Sequence, residues 1–206
     1  MGVQNQMRDM IKPAFILFAI CLVVGLLLSF AHNITKGIIY ERNEAQLNDA
    51  RKEVLSLSNN AKFEFVKYDD WKNLINAAEN YKNIKDVYKA MIGETFQAYV
   101  VTAVSNGFGG PMEVMIGISA SGRVYGVKIV SNQETPGLGS KATDENFTSQ
   151  FKGLPVNAVL KVVKSKTNQN SLGEIQAVTG ATVSSKAVTS AVQTAIKLID
   201  ELGNAS

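Results

Sequence analysis

The sequence predicts an α+β protein, with a single N-terminal transmembrane helix followed by an antiparallel sheet and helices packed against it. Three observations predict this class. Residues 13–31 form an uncharged apolar run, residues 87–131 alternate like strands between short turns, and residues 184–202 repeat apolar side chains at helical spacing. The 206 residues suffice for one anchor and one soluble domain of ordinary size.

The apolar run at residues 13–31, "PAFILFAICLVVGLLLSFA", is the predicted transmembrane helix. Its 19 residues would span roughly 28 Å as a helix, close to the thickness of a hydrocarbon core. Arg8 and Lys12 precede it, which favours a cytoplasmic N-terminus at residues 1–12 and a soluble part outside the cytoplasm. The alternative is a cleaved signal peptide, with "SFA" before His32 as the cleavage site.

The composition limits the chemistry of the soluble part. The single cysteine, Cys21, lies inside the apolar run, which excludes disulfides, cysteine-ligated iron–sulfur clusters and CxxCH haem attachment in the soluble part. The single histidine, His32, lies at the membrane edge, which argues against a metal site or a histidine-based triad. A net charge of +3 without a dense Lys/Arg stripe predicts no nucleic-acid partner. Any redox chemistry must therefore come from an organic cofactor.

Residues 32–86 are predicted to form a helical connecting region. Its first part, residues 36–58, repeats apolar side chains at helical spacing and is expected to be a helix that ends at Asn59. Its second part, residues 62–86, is polar, and a second short helix is expected there. The expected contacts of that helix are Trp71, Leu74 and Ile75.

Residues 87–206 are predicted to form the soluble domain. Turns at Gly93–Glu94 and Ser121–Gly122 make residues 87–131 an antiparallel meander, and "NAVLKVVKSK" at residues 157–166 adds a short strand. The final helix is expected over residues 184–202. Its predicted caps are Ser184 or Ser185 at the start and Gly203 at the end. Its predicted apolar stripe is Ala187, Val188, Ala191, Val192, Ala195, Ile196 and Ile199.

Two glycine-rich loops interrupt this pattern. In "SNGFGGPM", residues 105–112, three glycines around Phe108 permit a close backbone approach to another group, or they form an ordinary hairpin loop. In "NQETPGLGSKA", residues 132–142, Pro136–Gly137 predicts a turn. Leu138 then either contacts a flat apolar ligand or fills the core beneath a type II turn.

A third unusual stretch is "VTGATVSSKAV", residues 178–188, which places four hydroxyl side chains just before a helix. The unpaired N–H groups and partial positive charge of a helix N-terminus suit a phosphate. The alternative is that these hydroxyls only cap the helix.

"TGATVSS" and "ETPGLG", together with the N-terminal span, resemble the FMN-binding domain family, and within it the G subunits of Rnf-type electron-transport complexes. The C subunits of the sodium-pumping NADH:quinone reductase are near relatives. The resemblance covers nearly the whole chain and includes the order of the motifs.

The resemblance implies a covalent FMN, joined by a phosphoester bond to the last threonine of an [S/T]-G-A-[S/T] motif. That residue is Thr182, preceded by Thr179, Gly180 and Ala181, and a separate flavin transferase attaches the FMN from FAD. The pattern often has Asp three residues before the motif, where this chain has Gln176. The other residues implied to lie near the flavin are Phe108, Gly109, Gly110, Glu134, Thr135, Pro136, Gly137, Leu138, Gly139, Val183, Ser184 and Ser185. Lys141 and Lys186 are candidates to hold negative charge of the phosphate or of the flavin.

The function implied is that of an electron carrier, which is not catalytic alone, in a single-pass membrane subunit of a bacterial complex. The complex would oxidise reduced ferredoxin, reduce NAD and move Na⁺ or H⁺, and this domain would lie outside the cytoplasm beside other membrane subunits. Three alternatives remain open: the corresponding flavin-carrying member of the sodium-pumping quinone reductase, an anchored domain with a non-covalent ligand, and an extracytoplasmic flavin reductase.

Overall fold

A computed structural model describes residues 2–55, 64–67, 81–166 and 172–204. The chain divides into two compact units, Met1–Gln46 and Leu47–Ser206. The first unit is helical and belongs to α1 (Gly2–Val54), whose last residues belong to the second unit. Within α1, the segment from Pro13 onward is long and apolar enough to cross a membrane, with a mean hydropathy of 2.9 in its most apolar window. The predicted span at residues 13–31 lies in this helix.

Helix α1 reaches Val54, so the helix predicted over residues 36–58 is confirmed that far. Its predicted end at Asn59 lies outside the described residues, as do the contacts predicted for Trp71, Leu74 and Ile75. The domain boundary predicted between residues 86 and 87 stays a prediction, while the second compact unit begins at Leu47.

Five antiparallel strands form one sheet in sequence order. The two hairpins predicted for residues 87–131 are confirmed, with turns between β2 and β3 and between β4 and β5. The strands are β1 (Glu64–Lys67), β2 (Ile84–Ile92), β3 (Thr95–Asn106), β4 (Pro111–Ser119) and β5 (Val124–Ser131). Strand β1 and the start of β2 at Ile84 correct the helical prediction for these parts of residues 62–86. The four residues of β1 are too few to show a period, and they are extended because they pair with the edge of β2.

Two short strands form a second, parallel pair: β6 (Lys161–Val163) and β7 (Glu174–Gln176). Strand β6 lies in the stretch predicted to be a strand, whereas β7 was not predicted. Three residues give no readable alternation, so only the pairing with β6 defines β7. Between β5 and β6 the chain forms a 3-10 turn (Gly139–Thr143), the short helix α2 (Glu145–Thr148) and a second 3-10 turn (Ser149–Phe151).

The final helix, α3 (Thr182–Asn204), carries the predicted apolar stripe, and all seven of its side chains are buried. Its ends differ from the prediction. The helix begins two residues early, so Ser184 and Ser185 lie in its first turn rather than at the cap, and Gly203 lies within its last turn. The predicted caps are wrong because the helical conformation already begins at Thr182 and continues to Asn204. Both serine side chains bond to groups other than the N–H donors of a cap.

The two faces of the sheet carry separate apolar clusters, because successive side chains of a strand point to opposite sides. On β4, Val114, Ile116 and Ile118 belong to the larger cluster, which contains the stripe of α3. Met115 points the other way and joins a small cluster with the end of α1. The larger cluster fixes where α3 begins, and this places the motif at its N-terminus beside the loops that follow β3 and β5.

Candidate functional site

The three unusual stretches of sequence meet in one cleft of about 400 Å³, which we call the loop cleft. Its volume is within the range of small-molecule sites. The residues lining it are Phe108, Glu134, Thr135, Leu138, Gly139, Gly180, Ala181, Thr182, Val183 and Ser184. The β3–β4 hairpin, the segment after β5 and the start of α3 therefore build a single site, and every lining residue belongs to the set that the sequence implied.

A tight turn leads the chain into α3. The Ala181 N–H donates to the Val178 carbonyl at 3.0 Å, and Gly180 has a φ of +78°. Residues with a β-carbon rarely adopt that conformation, so this position favours glycine. The turn leaves Thr182 as the first helical residue, facing the loop cleft.

The hydroxyl groups around this turn have different partners. Ser185 Oγ donates to the Ala181 carbonyl at 2.9 Å and accepts the Val178 N–H at 3.0 Å. Ser184 Oγ donates to Glu134 Oε2 at 2.9 Å. The Thr182 hydroxyl is exposed and has no hydrogen-bond partner within the described part of the chain. Thr179 is also exposed, and its hydroxyl has no partner among the described residues, but of these two threonines only Thr182 lines the loop cleft.

Backbone N–H groups also point out of the start of α3. The Ser185 N–H is bonded to the Ala181 carbonyl at 2.9 Å, as the first helical bond. The three preceding N–H groups, of Thr182, Val183 and Ser184, have no backbone acceptor among the described residues. Together with the helix dipole, such donors form a site that favours an anion.

Exposed apolar side chains form walls of the loop cleft. Thr135 to Leu138 form a turn closed by the Leu138 N–H and the Thr135 carbonyl at 3.2 Å, which confirms the turn predicted at Pro136–Gly137. Leu138 is 53% exposed, so it does not fill the core. Phe108 is 77% exposed and Val183 is 50% exposed. These side chains favour the alternative that the cleft receives a flat apolar group.

Glu134 joins the three segments beneath the cleft. Its carboxylate is in a residue only 7% exposed. Oε1 accepts the backbone N–H groups of Phe108 at 2.8 Å and Gly109 at 3.3 Å, and Oε2 accepts the Ser184 hydroxyl. Sequence reasoning placed Glu134 at the border of a ligand and missed this connecting role, because no local pattern shows which distant groups a loop carboxylate will meet.

Several predicted site residues lie around the loop cleft rather than on its wall. Lys141 lines a neighbouring cleft with Asp144 and Gln176, and Lys186 lines another cleft along α3. The remaining ones outside the wall are Gly109, Gly110, Pro136, Gly137, Thr179 and Ser185. A ligand contact at any of these positions stays a prediction.

The segment just before the motif is held by a residue that sequence reasoning missed. The Gln150 side chain accepts the Gln176 N–H at 2.9 Å and donates to the Gln176 carbonyl at 3.1 Å. It thereby forms hydrogen bonds with both backbone groups of Gln176 in β7, as a neighbouring strand would. Among the described residues, no group of three or more His, Cys, Asp or Glu side chains is placed to hold a metal ion.

An exposed hydroxyl, a set of N–H donors without backbone acceptors and apolar walls suit a ligand with a phosphate at one end and a flat apolar body. Comparison with known proteins agrees with this class. The sequence pattern of the FMN-binding domain family matches residues 107–197, which include all the walls of the loop cleft.

The chain is similar to components of ion-translocating complexes. It is 36% identical to the G subunit of the Na⁺-translocating ferredoxin:NAD⁺ oxidoreductase complex of Acetobacterium woodii, over 97% of this chain and 96% of that protein. It is 41% identical to the G subunit of the proton-translocating ferredoxin:NAD⁺ oxidoreductase complex of Clostridium ljungdahlii, over 65% of this chain and 72% of that protein. The chain belongs to the family of G subunits of ion-translocating oxidoreductase complexes, which confirms the resemblance drawn from its motifs.

A solved structure shares the fold. The crystal structure of the C subunit of the Na⁺-translocating NADH-quinone reductase from Parabacteroides distasonis matches with a TM-score of 0.54 at 18% identity, over 78% of this chain and 95% of that one. This likeness confirms the α+β architecture predicted for the domain.

Proposed function

We propose that this chain is a membrane-anchored electron carrier whose FMN is bound covalently through a phosphoester to Thr182 Oγ1. It would serve in an ion-translocating ferredoxin:NAD⁺ oxidoreductase complex, with its soluble domain outside the cytoplasm. The observation that carries the proposal is the free, exposed hydroxyl of Thr182 on the wall of the loop cleft.

The start of α3 suits the phosphate of such an ester. A phosphodiester keeps one negative charge, which the N–H groups of Thr182, Val183 and Ser184 would stabilise through hydrogen bonds and the helix dipole. Phosphate held here needs no lysine on the cleft wall, in keeping with the positions of Lys141 and Lys186 in other clefts.

The apolar walls suit the ring system of FMN. Phe108, Leu138 and Val183 would bury part of a flat aromatic body and exclude water from one of its faces. Bound FMN would supply one-electron and two-electron transfer, and the protein would supply its binding, orientation and electrostatic surroundings. A covalent bond would also prevent loss of the cofactor outside the cytoplasm.

Attachment requires a partner enzyme and a balanced transfer. A flavin transferase would direct Thr182 Oγ1 onto the FMN phosphorus of FAD. The O–P bond to threonine forms, the pyrophosphate bond breaks, AMP leaves, and the hydroxyl proton passes to the enzyme or solvent. The added mass is therefore that of FMN less one water.

The test is the intact mass of the full chain, purified after co-expression with a flavin transferase, followed by peptide mapping. We expect the wild-type mass to rise by FMN less water, and the denatured band to fluoresce under ultraviolet light. Thr182→Ala should lose both signals. Thr135→Ala is the matched control, because it removes another exposed hydroxyl from the same cleft and should keep the flavin.

Three outcomes would contradict the proposal. A mass of the polypeptide alone, from cells that contain the transferase, would contradict the covalent attachment. Flavin released on denaturation would favour the anchored domain with a non-covalent ligand. Fluorescence retained in Thr182→Ala would move the attachment site. Thr182→Ser should keep the flavin, since the substitution preserves the hydroxyl.

The proposed orientation has its own test in intact cells. In a Cys21→Ser background, Glu94→Cys places a thiol on the exposed β2–β3 turn. A membrane-impermeant maleimide should label it without permeabilisation. Gln6→Cys, in the N-terminal segment, should be labelled only after the membrane is opened, and the reverse pattern would place the domain in the cytoplasm. Co-purification of the tagged chain with other membrane subunits would test its place in a complex.

A further inference from the structure

We propose that Glu134 is a positioning residue that also lowers the reduction potential of the flavin, because its buried carboxylate keeps a fixed negative charge directly beneath the loop cleft. This inference rests on the proposed function, since it concerns the FMN expected in that cleft. It assigns to Glu134, which lines the loop cleft, a role beyond forming part of the cleft wall.

The carboxylate spans the two sides of the cleft. Oε1 holds the hairpin at Phe108, and Oε2 holds the first turn of α3 at Ser184, two residues after Thr182. One side chain thereby fixes the spacing between an apolar wall and the attachment point. Its effect on the cofactor's position passes through these two groups.

Hydrogen-bond donors surround the Glu134 carboxylate. The Phe108 and Gly109 N–H groups and the Ser184 hydroxyl all donate to it, and such donors stabilise the charged form of a carboxylate. In the described part of the chain no lysine, arginine or histidine forms an ion pair with it. Dipoles stabilise the charge, and no cation of the described residues pairs with it.

The surrounding backbone leaves room for both oxygens. A β-carbon at Gly107 would collide with Glu134 Oε1, and one at Gly139 would collide with Oε2. Glycine on both sides of the carboxylate thus allows the main chain to enclose it.

A fixed negative charge opposes reduction of a neighbouring flavin. Uptake of two electrons and one proton leaves the reduced ring system with one more negative charge than the oxidised one. A unit charge within about 10 Å, at an effective dielectric constant of about 20, changes such an equilibrium on the order of tenfold. Removing the charge should therefore favour the reduced form by about tenfold, or about 30 mV for a two-electron couple.

The experiment measures the midpoint potential of the full-length, covalently flavinylated chain by equilibration with a dye of known potential. Glu134→Gln keeps the size of the side chain and removes the charge, and we expect a potential about 30 mV more positive. Glu145→Gln is the matched control: it removes an exposed charge on α2, away from the loop cleft, and should leave the potential unchanged.

A second variant predicts the opposite sign and covers the case in which Glu134→Gln does not fold. Ser184→Ala removes one donor from the carboxylate but leaves its charge, so the potential should become more negative, by a smaller amount. Unchanged potentials in flavinylated Glu134→Gln, or a positive shift in Ser184→Ala, would overturn the inference. An unmodified wild-type mass would remove both this inference and the covalent attachment, whereas normal flavinylation with unchanged potentials removes this inference alone.

Discussion

The two faces of the five-stranded sheet are covered in different ways. One face receives α3 along a continuous stripe of side chains, which interdigitate with those of β3 and β4 in the larger cluster. In the described part of the chain, the other face is covered by the end of α1, through a small cluster. The buried members of that small cluster are Ala50, Val54, Leu55, Ala90, Ala98, Val100 and Met115.

On the face covered by the end of α1, the main chain of the helix end lies close to the main chain of the sheet. Gly117 and Gly126 are paired across β4 and β5, and a β-carbon on either would lie 2.7 Å from the Val54 carbonyl oxygen. Beside them the buried Arg51 stacks over the Tyr88 ring at 3.9 Å. The face covered by α3 is stabilised by the burial of many apolar side chains. The face covered by the end of α1 depends on close main-chain approach, so one added carbon atom would disturb it.

The largest effect is expected from loss of volume on the α3 face. Ile196 is fully buried in the larger cluster, and Ile196→Ala should destabilise the domain by about 2–5 kcal/mol through lost apolar burial and a residual cavity. Thermal unfolding of the detergent-solubilised full chain, followed by circular dichroism, measures the effect. A loss of stability below about 1 kcal/mol would mean that neighbouring side chains fill the cavity easily. The two faces would then differ less in how they are stabilised.

A gain of volume should break the α1 face. Gly117→Ala places a β-carbon against the Val54 backbone, which cannot move as a flexible side chain would, and we expect a loss of about 1–3 kcal/mol. Gly203→Ala, in the last turn of α3, meets open space and should be neutral or slightly stabilising. Equal unfolding temperatures for the two variants would show that the glycine pair is not needed for close approach.

The pKa of Tyr81, near the C-terminal end of α3, makes the stability of the domain depend on pH. Burial, with smaller effects of a hydrogen bond to Glu201 and of the charges of Glu201 and Asp200, raises the pKa of Tyr81 above its usual value. The folded state therefore favours the neutral phenol. This contribution is complete below about pH 10 and is lost as the pH rises above it.

Wild type should accordingly lose more stability than Tyr81→Phe between about pH 9 and about pH 11. The measurement is the unfolding temperature of each variant at the two pH values. Identical changes in the two variants would show that Tyr81 does not contribute to the loss of stability at high pH.

The smallest effect is expected at an exposed ion pair. Lys85 on β2 contacts both oxygens of Glu113 on β4, at 2.8 and 2.9 Å, across β3. Because the pair is in water, Lys85→Gln should cost about 0–1 kcal/mol, and added salt should reduce the difference. Unfolding at low and high ionic strength checks this. A loss of stability as large as that of Gly117→Ala would contradict the expected order of the effects.

Much of the fold could be predicted because its strands and final helix carry long periodic patterns. The hairpin turns and the α3 stripe are local features of the sequence. The strands β1 and β7 could not be predicted in this way, since each is extended only by pairing with a distant partner. The end of α1 showed helical spacing, but nothing in it marked which glycines it would meet.

The site shows the same division. Its wall residues were implied through the motifs, and Thr182 was singled out before the structure placed it on the cleft. The use of each hydroxyl could not be read from "TGATVSS", where the serines look like caps. In the fold Ser184 bonds to a carboxylate fifty positions earlier, and Thr182 lies exposed on the wall of the loop cleft.

The sequence by itself determined the apolar segment, the meander, the final helix and the motifs that turn towards one site, because each depends on the order of neighbouring residues. Tertiary structure decided which hydroxyl lines the cleft without a partner, where Glu134 is enclosed, and which glycines the end of α1 meets. Those features depend on distances between segments far apart in the chain. Hydrogen bonds and steric contacts act over only a few ångströms, so they are settled when the faces of the sheet are covered.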